Sequence, residues 1–320
     1  MFRVNRTTRK HQETKTMTTS IQARKDVYSR VTDKIITDLE QGVRPWMKPW
    51  NAEHAAGRIT RPLRHNGAPY NGINVLMLWS AAVDHGYAAP IWMTYKQAAE
   101  LGAHVRKGEK GEPVVYANTL TRTETDEATG EEIDQTIPFM KGYTVFNVEQ
   151  IEDLPEHYYE LAEPVLDPVA RIQHAESFFA ATKAEIRHGG NSAYFCLSTD
   201  HIQMPPFESF MDAESYYATL AHEATHWTRH PSRLDRDLGR KRFGDEGYAR
   251  EELVAELGSA FLACDLEIAL EPRADHAAYI ESWLKVLKED KRAIFQAAAH
   301  AQRAADYLHS LQTASKEAAA

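Results

Sequence analysis

Apolar residues recur every three or four positions through Val27, Val31, Ile35, Ile36 and Leu39, which predicts an amphipathic helix stopped at Gly42. A turn over Pro69, Tyr70, Asn71 and Gly72 then opens an apolar helix running to about His85. IWMTYKQAAELG reads as a short extended piece followed by a helix that ends at Gly102. Residues 113–120 predict a strand, and KGYTVFNVEQI predicts a second one pairing back onto it. Between them TRTETDEATGEEIDQ is acidic and polar, as an exposed hairpin tip or a flexible insertion would be.

In the second half a helix is predicted over 169–183, then short strands around 186–188 and 193–198, turning at Gly189, Gly190 and Asn191. DHIQMPPFESF adds a third extended piece closed by Pro205 and Pro206. Helical periodicity then dominates over 213–230, 247–266 and 275–311. Helix, small sheet and further helices make an α+β class, with no internal repeat.

Polarity divides this pattern. Residues 1–20 are too polar to pack and predict a disordered arm. A first domain is expected over 21–152, a proline-bearing linker over 153–168 and a second domain over 169–320. At 320 residues and 43% hydrophobic, the chain has material for an ordinary core of one large or two modest domains. No run approaches the ~18 apolar residues of a membrane span, and the polar start is not a secretory signal. Two cysteines, Cys196 and Cys264, exclude a disulfide scaffold and an all-cysteine zinc finger. A cytoplasmic protein with no membrane partner is the expectation.

The net charge of -9 hides an asymmetry: residues 1–112 carry 18 Lys and Arg against 10 Asp and Glu, which leaves +8 there and -17 beyond. Such a split suggests two tasks, with a polyanion partner at the basic end.

The sharpest chemical feature is His222-Glu223-Ala224-Thr225-His226, an HExxH run. Positions i and i+4 share a helix face, so both imidazoles reach one cation, and the glutamate beside them can take a proton from the attacking water. Asp212 is the candidate N-cap of this helix and Pro231 its stop. Downstream, Glu252 and Glu256 stand at i, i+4 beside the apolar positions Leu253, Leu257, Ala260, Phe261 and Cys264. Carboxylates beside a buried stripe are costly unless paired or metal-bound. Glu252 is therefore expected as the third ligand and Glu256 as the acceptor of a ligating ring N–H, the swapped assignment staying open. His230 falls too early for a third histidine ligand of the HExxHxxGxxH kind and reads as a C-terminal helix cap.

Single-stranded nucleic acid is gripped by cations along the backbone and aromatic faces under the bases. Residues 44–110 hold such a mixture: Arg44, Trp46, Lys48, Trp50, Tyr70, Trp92, Tyr95, Arg106, Lys107 and Lys110, with Arg58, Arg61 and Arg64. RPWMKPW would hold rings exposed at low entropy cost, and VRKGEKGEP would offer a basic turn with backbone N–H groups for phosphate. The competing reading places the same rings in a core.

YYATLAHEATHWTRHPSRLDR and YAREELVAELGSAFLACDLEI resemble the zincin-like metallopeptidase domain of plasmid and phage polyvalent proteins, and the Glu252/Glu256 helix is similar to the ligand-glutamate helix of gluzincins. DVYSRVTDKIITDLEQGVRPWMKPW, YNGINVLMLW, WMTYKQAAELGAHVRKGEKGEPVVY and GYTVFNVEQIEDLP resemble the N-terminal domain of ArdC-type antirestriction proteins over roughly residues 24–155. The resemblance implies a single Zn2+ ion, Glu223 as general base and a small curved sheet over the HExxH helix. It further implies single-stranded DNA as one partner, an unidentified host protein as substrate, and protection of incoming plasmid DNA from restriction. Tyr248 is a candidate for stabilising the oxyanion. The alternative is a protein that shields DNA with a structural zincin domain. A zinc nuclease is disfavoured because such sites usually cluster two metals.

Overall fold

The computed structural model describes residues 26–47, 60–125, 132–159, 168–239, 244–268 and 276–318. The chain starts with α1 (Val27–Glu40), whose N-cap Asp26 accepts a hydrogen bond from the Ser29 amide. β1 (Leu63–Arg64), α2 (Ile73–His85), β2 (Ile91–Met93), α3 (Tyr95–Glu100) and β3 (His104–Val105) follow. Gly72 at the mouth of α2 has φ +58, a left-handed turn that favours glycine.

β4 (Glu112–Thr125) and β5 (Glu132–Asn147) form a long antiparallel ribbon, in register from Glu112 opposite Val145 to Thr125 opposite Glu132. It joins β1 and β2 in a four-stranded sheet of order β1-β2-β5-β4. Strand pairing therefore runs through most of the acidic stretch expected to be a hairpin tip; residues 126–131 lie outside the described residues. Alternating Thr residues there suit an extended backbone whatever the charge. α2 is tied to β4 by Asn74, whose side-chain amide exchanges two 2.8 Å bonds with the backbone of Val115. β6 (Ile151–Glu152) pairs with β3, and Leu154 and Tyr158 beyond it are buried in a satellite core.

The second half opens with α4 (Pro168–Ala181) and a three-stranded sheet of β7 (Glu185–His188), β8 (Tyr194–Cys196) and β9 (His201–Met204) in the order β7-β9-β8. Four helices complete it: α5 (Ala213–Trp227), α6 (Glu246–Asp265), α7 (His276–Glu289) and α8 (Ala293–Ala318). The single helix expected over 275–311 is two, because Asp290 accepts the Arg292 amide through its side chain and the Ala293 amide through its carbonyl. That turn ends α7 at Glu289 and starts α8 at Ala293. The same turn docks α1, whose Thr32 hydroxyl donates to the Lys291 carbonyl at 2.7 Å.

α6 is the central rod: every residue from Gly247 to Cys264 except Arg250 is buried. One apolar core runs from Val31, Ile35 and Leu39 of α1 and Trp79 of α2 to Phe261 of α6, Trp283 of α7 and Ala298 of α8. Arg61 joins the two halves with two bonds to Asp265 at 2.6 and 2.7 Å, one to Gln302, and its guanidinium over the Phe261 ring. No described helix is long and apolar enough to cross a membrane.

Candidate metal centre

α5 and α6 carry the chemistry, and a missing side chain sets their spacing. A Cβ on Gly258 would stand 2.5 Å from Cγ2 of Thr225, so only glycine lets α6 approach α5 this closely. Asp212 caps α5 through the Ser215 amide, as the sequence predicted, and Asp245 caps α6 through the Tyr248 amide. Both caps fix where the helices begin, hence which side chains face each other.

At the crossing His222, His226 and Glu252 offer ligand atoms that all lie within 4.8 Å of one another, and all three residues are buried. His222 Nε2 is 3.5 Å from Glu252 Oε2 and His226 Nε2 is 3.6 Å from Oε1. Donors bonded at ~2.0–2.1 Å to one tetrahedral ion would stand about 3.3 Å apart, so the set fits a divalent ion with little movement.

Each histidine turns its other nitrogen to a different carboxylate of α6. His226 Nδ1 lies 3.1 Å from Glu251 Oε1. Glu251 in turn accepts two bonds from Arg236, at 2.9 and 2.7 Å. Arg236 also donates to the Thr228 hydroxyl and the Thr225 carbonyl, which pins it to the end of α5. On the other side His222 Nδ1 faces Glu256 Oε1 at 3.5 Å. Glu256 Oε2 accepts the indole N–H of Trp46 at 3.2 Å and lies 3.6 Å from the Arg44 guanidinium. Carboxylates behind ligating histidines set their tautomer and ring orientation.

The electrostatics follow from burial. Desolvation pushes Glu251 up, but Arg236 and His226 outweigh it and hold the carboxyl down at about 2. Glu252 is also held well below its ordinary value, because the two histidines overrule burial. Burial disfavours a charged His226, yet Glu252 and Glu251 raise it to about 10. Glu223, Glu251, Glu252 and Glu256 are buried here with Arg44 and Arg236 beside them, four carboxyl groups against two guanidinium groups, a donor set that suits a divalent ion.

Tyr248 stands one helical turn before Glu252 with its hydroxyl 2.9 Å from that of Tyr279. Burial, Tyr279 and Glu252 all push it above its ordinary value, which keeps it a neutral donor. His230 lies past the end of α5, since Thr228 is the C-cap; its Nδ1 accepts the Ser232 amide in the following turn.

The expected DNA contacts divide. Trp46, Tyr70 and Trp92 are buried and offer no ring face to a base: Trp46 packs edge-on against Trp283 at 5.6 Å, and Trp92 against Tyr87 at 5.8 Å. Their apolar area does more in the core than on a loop, so the core reading holds for these three. Arg44 is turned inward to Glu256, Arg61 is paired with Asp265, and Arg64 lies over the Tyr70 ring. Tyr95, Arg106, Lys107 and Lys110 are exposed. Lys48, Trp50 and Arg58 lie outside the described residues.

Sequence reading missed Glu251, Arg236 and the inward role of Arg44 and Trp46. Glu251 left a signal, as an acid adjoining Glu252 in a stretch of helix too apolar to solvate it. Arg236 left none, because it sits in an irregular stretch beyond the helix.

Residues 173–300 match the zincin-like metallopeptidase family, and residues 25–146 match the N-terminal domain of anti-restriction factor ArdC. The protein y4eC of Sinorhizobium fredii is 46% identical over 293 residues, 90% of this chain and 93% of that protein. The DNA primase TraC of Escherichia coli is 42% identical over 302 residues, but the matched part is 27% of TraC, so this chain spans about a quarter of it. The crystal structure of the antirestriction protein ArdC from plasmid R388 is similar in its metal-free form, with TM-score 0.74 and 48% identity over 90% of this chain and 98% of that one. Its Mn(II)-bound form gives TM-score 0.73 and 47% identity over the same shares. Two domain matches in this order, with relatives aligned along nine-tenths of its length, show that the chain belongs to the ArdC-type antirestriction protein family.

Proposed function

We propose that this protein counters restriction with two activities: its N-terminal half holds single-stranded DNA, and its metal centre hydrolyses a peptide bond in a host protein. The observation that carries the enzymatic part is the convergence of His222, His226 and Glu252, with Glu251 and Glu256 each behind one histidine. A purely structural ion needs no HExxH glutamate, yet Glu223 is buried beside the two histidines.

His222, His226 and Glu252 would hold a divalent ion, which would supply Lewis-acid polarisation of the substrate carbonyl and of the attacking water. Glu223 accepts the proton of that water at a carboxylate oxygen and returns it to the leaving amine nitrogen. With an ion bound, Glu251 at 3.1 Å from His226 Nδ1 and Glu256 at 3.5 Å from His222 Nδ1 would favour the tautomers that leave both Nε2 atoms free to face it. In this reading Tyr248, a neutral hydroxyl one helical turn before Glu252, would donate to a developing oxyanion. We read the ion as zinc, which two imidazoles and one carboxylate suit. The Mn(II)-bound form of the ArdC relative makes manganese the metal to compare.

For DNA, the exposed Tyr95, Arg106, Lys107 and Lys110 support the reading. Tyr116 and Tyr143, both exposed on the β4–β5 ribbon, add rings beside Lys141, which stands opposite Tyr116. Cations for phosphates and rings for bases are what a single strand requires.

Glu223→Gln tests the enzymatic claim. It keeps the volume and the metal donors, so metal content should be unchanged while hydrolysis falls about 10²–10⁴-fold and protection of transferred DNA is lost. Protection that survives with metal retained would assign the zincin domain a structural role.

A further inference from the structure

The metal centre is not built by the zincin domain alone. Glu256 is a buried carboxylate whose Oε1 faces His222 Nδ1. Its other oxygen, Oε2, meets two groups from a segment more than 200 residues earlier: the Trp46 indole N–H at 3.2 Å and the Arg44 guanidinium at 3.6 Å. These two residues lie in the turn after α1, where the Met47 amide donates to the Arg44 carbonyl at 2.9 Å. Pro45 between them restricts the backbone of that turn. The Trp46 ring is fully buried, edge-on to Trp283 of α7, so its N–H direction is set by packing.

We propose that Arg44 and Trp46 are positioning residues of the metal centre: by holding Oε2 of Glu256 they aim Oε1 at His222, so that the N-terminal domain completes a site whose ligands all lie in the C-terminal domain. The proposal rests on the metal reading above. Its physical basis is that a buried carboxylate needs donors to keep both its charge and its rotamer. A carboxylate behind a ligating histidine controls metal affinity as strongly as many ligands do. With Oε2 unheld, Glu256 would lose its orientation and His222 its fixed ring plane. The metal centre would then report on whether the N-terminal turn is seated.

The test is Mn2+ binding to the full chain by titration calorimetry, for the unaltered protein, Trp46→Phe, Arg44→Gln, Glu256→Gln and the double variant Trp46→Phe/Glu256→Gln. Phenylalanine keeps an aromatic ring against Trp283 but removes the N–H donor together with part of the indole volume, which is why the Glu256→Gln background is needed to separate the two effects. Affinity should fall about tenfold in Trp46→Phe and in Arg44→Gln, with the unfolding transition of the metal-free protein still cooperative. In the Glu256→Gln background, Trp46→Phe should change affinity by less than about twofold, because both act through one carboxylate. Equal affinity in the unaltered protein and both single variants would overturn the proposal while leaving the metal centre standing. So would a full tenfold loss in the Glu256→Gln background, which would mark Trp46 as packing only. Absence of Mn2+ binding by the unaltered chain would remove the metal centre and this proposal together. Should Trp46→Phe fail to fold, Arg44→Gln and its Glu256→Gln combination decide the matter by the same criteria.

Discussion

Replacing Arg236 by Met gives the most informative single perturbation. Its side chain is 1% exposed and that of Glu251 is 2%, so neither has access to water. Arg236 supplies two bonds to Glu251 and one each to Thr228 and Thr225. Methionine keeps the stem volume but leaves Glu251 as a buried acid with its main counter-charge gone, a change that costs about 3–5 kcal/mol. The depressed carboxyl pKa points the same way, through Arg236 and His226 together. Held at about 2 in the fold, against an ordinary value near 4.3, Glu251 contributes roughly 3 kcal/mol that is present above pH ~4.3 and lost as pH falls toward 2. The two agree.

For 320 residues unfolding as one unit, with an entropy of about 2.1 cal/mol/K per residue, this corresponds to a melting temperature lower by about 4–7 °C. Differential scanning calorimetry in chelator at pH 7 would measure it. Adding Glu251→Met should restore most of the stability, since an apolar pair replaces an ion pair at little net cost. It should not restore metal binding, because His226 still lacks its acceptor, and affinity should stay at least ~10-fold down. A loss below 1 kcal/mol in the single variant, or full metal affinity in the double, would refute the claim that the arginine acts through Glu251 on His226.

Further outcomes follow from the same geometry. Because His226 is raised to about 10 in the metal-free chain, the ion must displace a proton, so log affinity for Mn2+ should climb by about one per pH unit between pH 6 and 8.5; a flat profile by calorimetry would contradict this. Gly258→Ala should separate α5 from α6, lowering stability by about 1–3 kcal/mol and metal affinity with it, read by thermal melts and metal titration on the same sample. Binding of a labelled single-stranded oligonucleotide should weaken with salt, Lys107→Ala should reduce the slope by about 0.7, and Tyr95→Ala should cost roughly 1–3 kcal/mol if the ring stacks. Anisotropy that is unchanged in both variants would move the DNA surface elsewhere.

The HExxH spacing and the i, i+4 glutamates were legible in the sequence because helix geometry turns spacing directly into a shared face, and the caps Asp212 and Asp245 lie where local backbone demand puts them. The α+β order and the strand pairing of β4 with β5 were likewise local, readable from hydrophobic period and turn residues. Which partner each carboxylate finds is a different matter. Glu251 and Glu256 look alike in the sequence, yet one meets Arg236 and the other Trp46 and Arg44. Those pairings come from how helices cross, and the crossing of α5 and α6 is set by Gly258 against Thr225.

Composition also could not tell an exposed ring from a core ring. Trp46 and Tyr95 both lie in the basic first part of the chain, but one is sealed under α7 and the other is 60% exposed. Local rules act over a few residues and therefore survive in the sequence. Burial and charge partnering are properties of surfaces brought together from distant segments, so only the folded chain decided that its basic first part would turn an arginine and a tryptophan inward, onto the glutamate behind His222.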